Sequence, residues 1–176
     1  MLLGEILHPE VVKTTLEAEN KYEAIDELVD LLVESHEIPV ALRDHILEVV
    51  TEREKSMSTG MEHGIALPHG ATDRVDDIIG ALGVSRRGVP FESLDGQPAH
   101  VIILLVLPKN KFQAHVRTLG GIAHLMSNAG LREALKNAGD SASVLKLIEE
   151  EEDRAALRCS RSVEVFSLLT LSPKSG

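Results

Sequence analysis

The chain has 176 residues, of which 43% are apolar and 26% charged, and a formal net charge of −10. That length suits one domain, or one domain with an appendage, and gives ample room for a core. Aromatic residues make up only 2%, so the core must be built from Leu, Val, Ile and Ala, and stacking on nucleobases is disfavoured. An acidic chain without a basic stripe excludes nucleic acid as a partner and suits basic proteins instead. Cys159 is the single cysteine, so there is neither a disulfide framework nor a thiolate metal cluster, and a reducing cytoplasm fits. Residues 1–5 lack the basic start and long apolar core of a signal peptide. The longest purely apolar run, residues 101–108, is far short of a membrane helix, so no direct membrane insertion is expected.

In chain order, residues 2–7 are a short apolar opening and residues 11–16 have the β-branched content of a strand. Asn20 reads as a helix N-cap with Glu23 as its reciprocal partner. Ala24, Leu28, Leu31 and Leu32 follow at helical spacing and predict an amphipathic helix over 21–35. Pro39 opens a second helix lined by Leu42, Ile46, Val49 and Val50, which runs out near Arg53 and Glu54. Residues 56–60 form a polar turn, and residues 65–68 a short buried strand. Residues 78–84 read as a strand, broken over 86–90 and followed by a loop over 91–98 that contains the turn Asp95-Gly96. Residues 101–107 are apolar at every position, which predicts a central strand buried on both faces and ended by Pro108.

Asn110 is placed to cap a helix from Lys111 to about Ser127, with Phe112, Val116, Leu119, Ile122, Ala123 and Met126 as its apolar line. Gly130 precedes a short helix over 131–137. Ser141 caps a last one, with Val144, Leu145 and Ile148 inward and a solvated acidic end over 149–153. This alternation predicts an α/β domain ending near residue 153. Residues 154–176 form a C-terminal extension, polar and basic at first, then apolar from Val163. It suits either an added strand, at an edge or against a second subunit, or an ordered tail of no consequence.

The stretch over 60–70 concentrates the chemistry: glycines at 60, 64 and 70 bracket Ile65-Ala66-Leu67-Pro68-His69. A strand there delivers His69 at a loop on its carboxyl end, where open α/β sheets place their chemistry. Pro68 donates no backbone hydrogen bond, so pairing should stop at it, and Gly70 leaves one side of the ring open to a bulky partner. Taken alone, a histidine after a strand is more often a loop or capping residue than a catalyst. His115, near the start of the helix after the central strand, is expected at the same edge of the sheet as His69; otherwise it is a satisfied surface histidine. Arg53 stands where a helix gives way to the loop leading to His69, and on pattern alone it is a helix-end cation. His63 and His69 make a weak metal pair, with no carboxylate at ligand spacing, and no phosphate-cradling Gly-rich loop for a nucleotide is present. Two histidines and an arginine without metal or nucleotide suit phosphoryl transfer through histidine. No cofactor is expected.

The order Arg53-Glu54-x-x-x-Ser58-Thr59-Gly60, then Gly64-Ile65-Ala66-Leu67-Pro68-His69-Gly70, resembles the signature of the IIA component of the bacterial phosphoenolpyruvate-dependent phosphotransferase system. The type is the fructose–mannitol one, which includes the nitrogen-regulatory IIA proteins. Pro90-Phe91-x-x-Leu94-Asp95-Gly96-Gln97-Pro98 and His115-x-x-x-Leu119 resemble later blocks, and the similarity covers roughly residues 2–152. The resemblance implies a single domain over 1–153 with a mixed β-sheet flanked by helices. It implies that His69 accepts phosphate from HPr or an HPr-like carrier, with His115 stabilising the phosphate and Arg53 positioning or neutralising it. The group would pass to a IIB-domain cysteine in sugar uptake, or be held as a signal read by regulated target proteins. Regulation is the preferred reading, a fructose/mannitol-type carrier the alternative, and a transfer-inactive binding module the third. A chain without IIB or IIC domains would work in trans in the cytoplasm, and the extension could join two copies as a homodimer.

Overall fold

The computed structural model describes the backbone of residues 2–170 and the side chains of residues 2–160. Its centre is the strand β5 (Ala99–Pro108), in which every residue from Val101 to Leu107 is buried. A strand buried on both faces must find backbone partners on both edges. On one edge β5 pairs antiparallel with β4 (Ile79–Val89). On the other it pairs parallel with β2 (Ile65–Ala66) and then β3 (His69–Thr72). The two-residue β1 (Val12–Lys13) lies parallel to β4 and completes a mixed five-stranded sheet. The helices α2 (Lys21–Glu34) and α3 (Arg43–Ser56) pack together, α2 on β4 and α3 on β3. The remaining helices are α1 (Leu3–Ile6), α4 (Phe112–Leu125), α5 (Ala129–Asn137) and α6 (Ser141–Thr170), with α5 packed on β4 and β5 and α6 against α1, α4 and α5. The expected mixed α/β single domain is the fold observed.

Several local expectations are corrected. Residues 2–7 contain the short helix α1 rather than only an apolar opening, and the strand expected over 11–16 shrinks to Val12–Lys13 after a 3-10 turn at Pro9–Val11. Strand β4 does not break at Arg86; it continues to Val89 through a register shift between Val84 and Val89, which absorbs the polar residues as a bulge. Pairing does not stop at Pro68. Proline lacks a donor but keeps its carbonyl, which accepts from Leu105 N at 3.0 Å, so His69 opens a new strand instead of a loop.

The helices bring further corrections. Helix α4 begins after Lys111 with no side-chain cap, not under Asn110. Its inward line is His115, Thr118, Ile122, Leu125 and Met126, while Phe112 and Val116 are 73% and 56% exposed. Asn128 caps α5, accepting from Leu131 N, and Asp140 rather than Ser141 caps α6, accepting from Ser143 N at 2.7 Å. The added strand, one of the two alternatives for the residues after 154, is not formed up to residue 170: α6 runs without interruption through residue 153 to Thr170. The remainder of that expectation, residues 171–176, lies outside the described residues.

The segment leading to His69 is clasped by a buried charge network. Glu54, 1% exposed near the end of α3, accepts from Thr59 N at 3.1 Å and from the Thr59 hydroxyl at 2.5 Å. Lys21, 6% exposed at the start of α2, lies 3.4 Å from Glu54 and 3.0 Å from Glu92. Burial opposes the Lys21 charge, but its bonds to Glu92 and Glu54 outweigh that and hold the ammonium above its ordinary range. The loop over 91–98 closes on the same segment: the Ser58 hydroxyl donates to the Phe91 carbonyl at 2.5 Å, and a Cβ on Gly60 would lie 2.9 Å from Ser93 Cα. Gly70 is as tightly constrained, since a Cβ there would lie 2.7 Å from Val49 Cγ1 and 3.0 Å from Val50 N. The bulky partner that uses the open side of Gly70 is therefore helix α3.

Gly70→Ala should push α3 off β3 and cost about 1–3 kcal/mol of stability in a urea melt, as overpacked cores do. Lys21→Met, which leaves the Glu54 carboxylate without its cation, should cost about 3 kcal/mol in the same measurement.

Candidate functional site

His69 heads β3 opposite Leu105 of β5, half-buried, directly after the Leu67-Pro68 link between β2 and β3. Its Nδ1 lies 2.8 Å from the Leu67 carbonyl oxygen. A carbonyl can only accept, so Nδ1 carries the proton and Nε2 carries the lone pair. Partial burial pushes the His69 imidazolium below its ordinary range; the Leu67 bond works against that, and the positive charge of Arg53 adds to the lowering. Neutral imidazole with an available Nε2 is thus the form present near pH 7.

His115 is brought to the same edge by β5. That strand ends at Pro108, and the Pro108 carbonyl lies 2.5 Å from His115 Nε2, which must donate. The ring is buried, 7% exposed, and the exposed ring of Phe112 tilts against it at 6.3 Å between centroids. Arg53, partly buried on the last turn of α3, donates from Nη1 to the Met57 carbonyl at 2.8 Å, which ties it to the helix end expected of it. Arg53, Glu54 and His115 lie within electrostatic range of His69, the guanidinium disfavouring its imidazolium and the Glu54 carboxylate favouring it. His63 does not join them. It lies exposed in the turn before β2, with φ of 64°, and lines a cleft with His100 and α5 instead.

Three supports of the site escape a reading by residue type. The Leu67 and Pro108 carbonyls each fix a ring tautomer, but main-chain acceptors carry no side-chain signature. Lys21 looks like a solvated first-turn residue, and only its burial against Glu54 reveals its role. Glu54 alone was visible, as the neighbour of Arg53 in the motif. A lone-pair nitrogen on a half-buried ring, flanked by a second imidazole and a cation, is equipped to accept an electrophilic phosphorus. It needs no proton removed first.

Among the described residues no helix is long and apolar enough to cross a membrane. The fructose-specific EIIABC component of Bacillus subtilis is 32% identical over 152 residues, 86% of this chain, which spans only 24% of that relative's length. A nitrogen regulatory protein of Bradyrhizobium diazoefficiens is 27% identical over 148 residues, covering 84% of this chain and 95% of the relative. The crystal structure of the nitrogen regulatory protein IIA-Ntr from Neisseria meningitidis superposes with a TM-score of 0.76 at 29% identity, over 83% of this chain and 98% of that one. The family model described as "Phosphoenolpyruvate-dependent sugar phosphotransferase system, EIIA 2" matches residues 5–151, and with the sheet and histidine neighbourhood described above the chain belongs to that family.

Proposed function

We propose that this chain is a phosphohistidine carrier, in which His69 accepts a phosphoryl group from HPr or an HPr-like donor in the manner of a nitrogen-regulatory IIA protein. The observation that carries this reading is the 2.8 Å bond from His69 Nδ1–H to the Leu67 carbonyl, which leaves Nε2 as the nucleophile. In the transfer, the Nε2 lone pair attacks phosphorus in line while the bond from phosphorus to the donor's imidazole nitrogen breaks. The donor nitrogen keeps that electron pair, and His69 releases no proton. The phosphorylated ring is then cationic, and its Nδ1–H still donates to Leu67, which stabilises that charge.

In this reading His115 stands beside the phosphate and Arg53 supplies positive charge. His115 commits Nε2–H to Pro108, which holds the ring in place beside the site. Phe112 and Val116, exposed on α4 next to His115, give a partner an apolar contact beside the site. The acidic body steers a basic donor face towards it.

Retention of the phosphate as a signal is supported by the likeness to nitrogen regulatory proteins in sequence and in structure. A second reading, transfer to a IIB cysteine in sugar uptake, is favoured by the 32% identity to the fructose-specific relative. Phosphoenolpyruvate, enzyme I and HPr should place an acid-labile, base-stable phosphate on the chain, and His69→Ala should abolish it. An unlabelled wild-type chain would leave a transfer-inactive binding module. Passage of the label to a fructose-type IIB cysteine would select the sugar reading.

His115→Ala should still be phosphorylated but hand the group on about 10²-fold more slowly, the cost of losing one transition-state donor; unchanged rates would remove His115 from the mechanism. The pH dependence has a definite sign. His69 titrates below the ordinary imidazole value of about 6.5, so acceptance should stay level as pH falls to that point and decline only beneath it. Arg53→Ala removes a charge that disfavours the imidazolium, so the His69 midpoint, followed by NMR of the ring C–H, should move up.

A further inference from the structure

At the opposite end of β2 and β5 from His69 lies a cleft of about 240 Å³ that the phosphotransfer site does not use. His63 and Gly64 of the turn before β2, His100 at the start of β5, and Arg132, Glu133 and Lys136 of α5 line it. Ile65 pairs with Val101 here, whereas His69 pairs with Leu105, so the two places are separated by the length of the parallel ladder. The cleft concentrates cations on a chain whose net charge is −10.

Its construction favours an anion over other ligands. Arg132 and Lys136 are one helical turn apart on α5 and project to the same face. Arg132 Nη1 donates to the Met126 and Ser127 carbonyls, both at 2.8 Å, which fixes the guanidinium plane; among the described residues its other nitrogens carry no partner. Lys136 makes no hydrogen bond or ion pair among the described residues. The α5 N-terminus borders the cleft at Ala129 and brings the positive end of the helix dipole to it, while Leu131 N is taken by the Asn128 side chain. His100 Nδ1 donates to the Ser85 carbonyl at 2.8 Å, which fixes the ring in the cleft wall. Glu133 is the one carboxylate among the lining residues and accepts from Asn137 Nδ2 at 3.0 Å along its own helix; on the turn side Glu62 lies 3.9 Å from His63 Nε2, and Asp95 accepts from His63 N at 2.8 Å. The volume admits a small molecule and not a polymer, and the acidic remainder of the surface repels nucleic acid and anionic membranes.

We infer that the cleft between the Gly64 turn, His100 and the Arg132–Lys136 face of α5 is a binding site for a small phosphate-bearing metabolite, separate from the phosphorylation site. Arg132 supplies a planar fork suited to two phosphate oxygens, and Lys136 a point charge beside it. Both ends of the β2–β5 pair then meet phosphate chemistry, covalent at His69 and reversible here.

The test is an NMR titration of the isotope-labelled full chain with inorganic phosphate and with pyrophosphate, at ionic strength matched with potassium chloride. The amides of Gly64, Val101 and Ala129 should move together along a saturable curve, and His69→Ala should leave that curve unchanged. Lys136→Gln should weaken binding about tenfold, the size of one lost charge-assisted bond, without altering phosphorylation of His69. Arg132→Gln should do the same, but Arg132 also ties down the end of α4, so Lys136→Gln with an unchanged melting curve is the deciding variant. Shifts that never saturate, that chloride reproduces, that Lys136→Gln leaves intact, or that His69→Ala removes would each overturn the site.

Discussion

The structure depends on one constraint: a strand with no polar side chain between Val101 and Leu107 has to satisfy every backbone group through its neighbours. Burial on both faces denies it water, so β4 must run along one edge and β2 and β3 along the other. Everything that bears on the candidate site hangs from that ladder. The parallel register sets His69 beside Leu105, and the end of the same strand holds out the Pro108 carbonyl that orients His115. A shift of β3 by one residue would turn His69 to the other face of the sheet and separate the two imidazoles.

Around the ladder, the chain invests buried charge in the segment that approaches His69. Glu54 is bonded by Thr59 and paired with Lys21, which ties together the end of α3, the start of α2 and the loop before β2. The adjacent Arg53 is thereby held near His69 while its own guanidinium stays bonded to the helix end. The result is a ring kept neutral by partial burial and a nearby cation, with its lone pair on Nε2. Two backbone carbonyls, those of Leu67 and Pro108, set which nitrogen of each ring carries its proton.

Much of the fold was legible because its signals are local. The continuous apolar run of β5, the Asn20 cap with its 3.6-residue periodicity, and the turn residues of the 91–98 loop each encode their element within a few positions. The misreadings share a physical cause. Pro68 and the Arg86-Arg87 pair have the character of strand breakers, yet a proline carbonyl still pairs and a bulge still carries polar residues. On α4 the apolar line Phe112–Val116 proved exposed, with His115 and Thr118 inward, because an apolar stripe marks an interface without saying whether the partner is this chain's own core. Past residue 154 the apolar residues from Val163 allow a strand or a tail, but α6, once nucleated, propagates to Thr170.

The amino-acid sequence by itself determined the α/β class, the central strand, and the candidacy of His69, His115 and Arg53, since these rest on residue type, spacing and short-range periodicity. Tertiary structure alone decided that His69 opens a strand, which nitrogen of each ring carries its proton, that Lys21 is buried against Glu54, and that His63 belongs to a cleft at the far end of the sheet. Those outcomes arise from backbone acceptors and from contacts between residues 33 or more positions apart, such as Lys21 with Glu54 and Ser58 with Phe91. No local pattern records where such groups will meet.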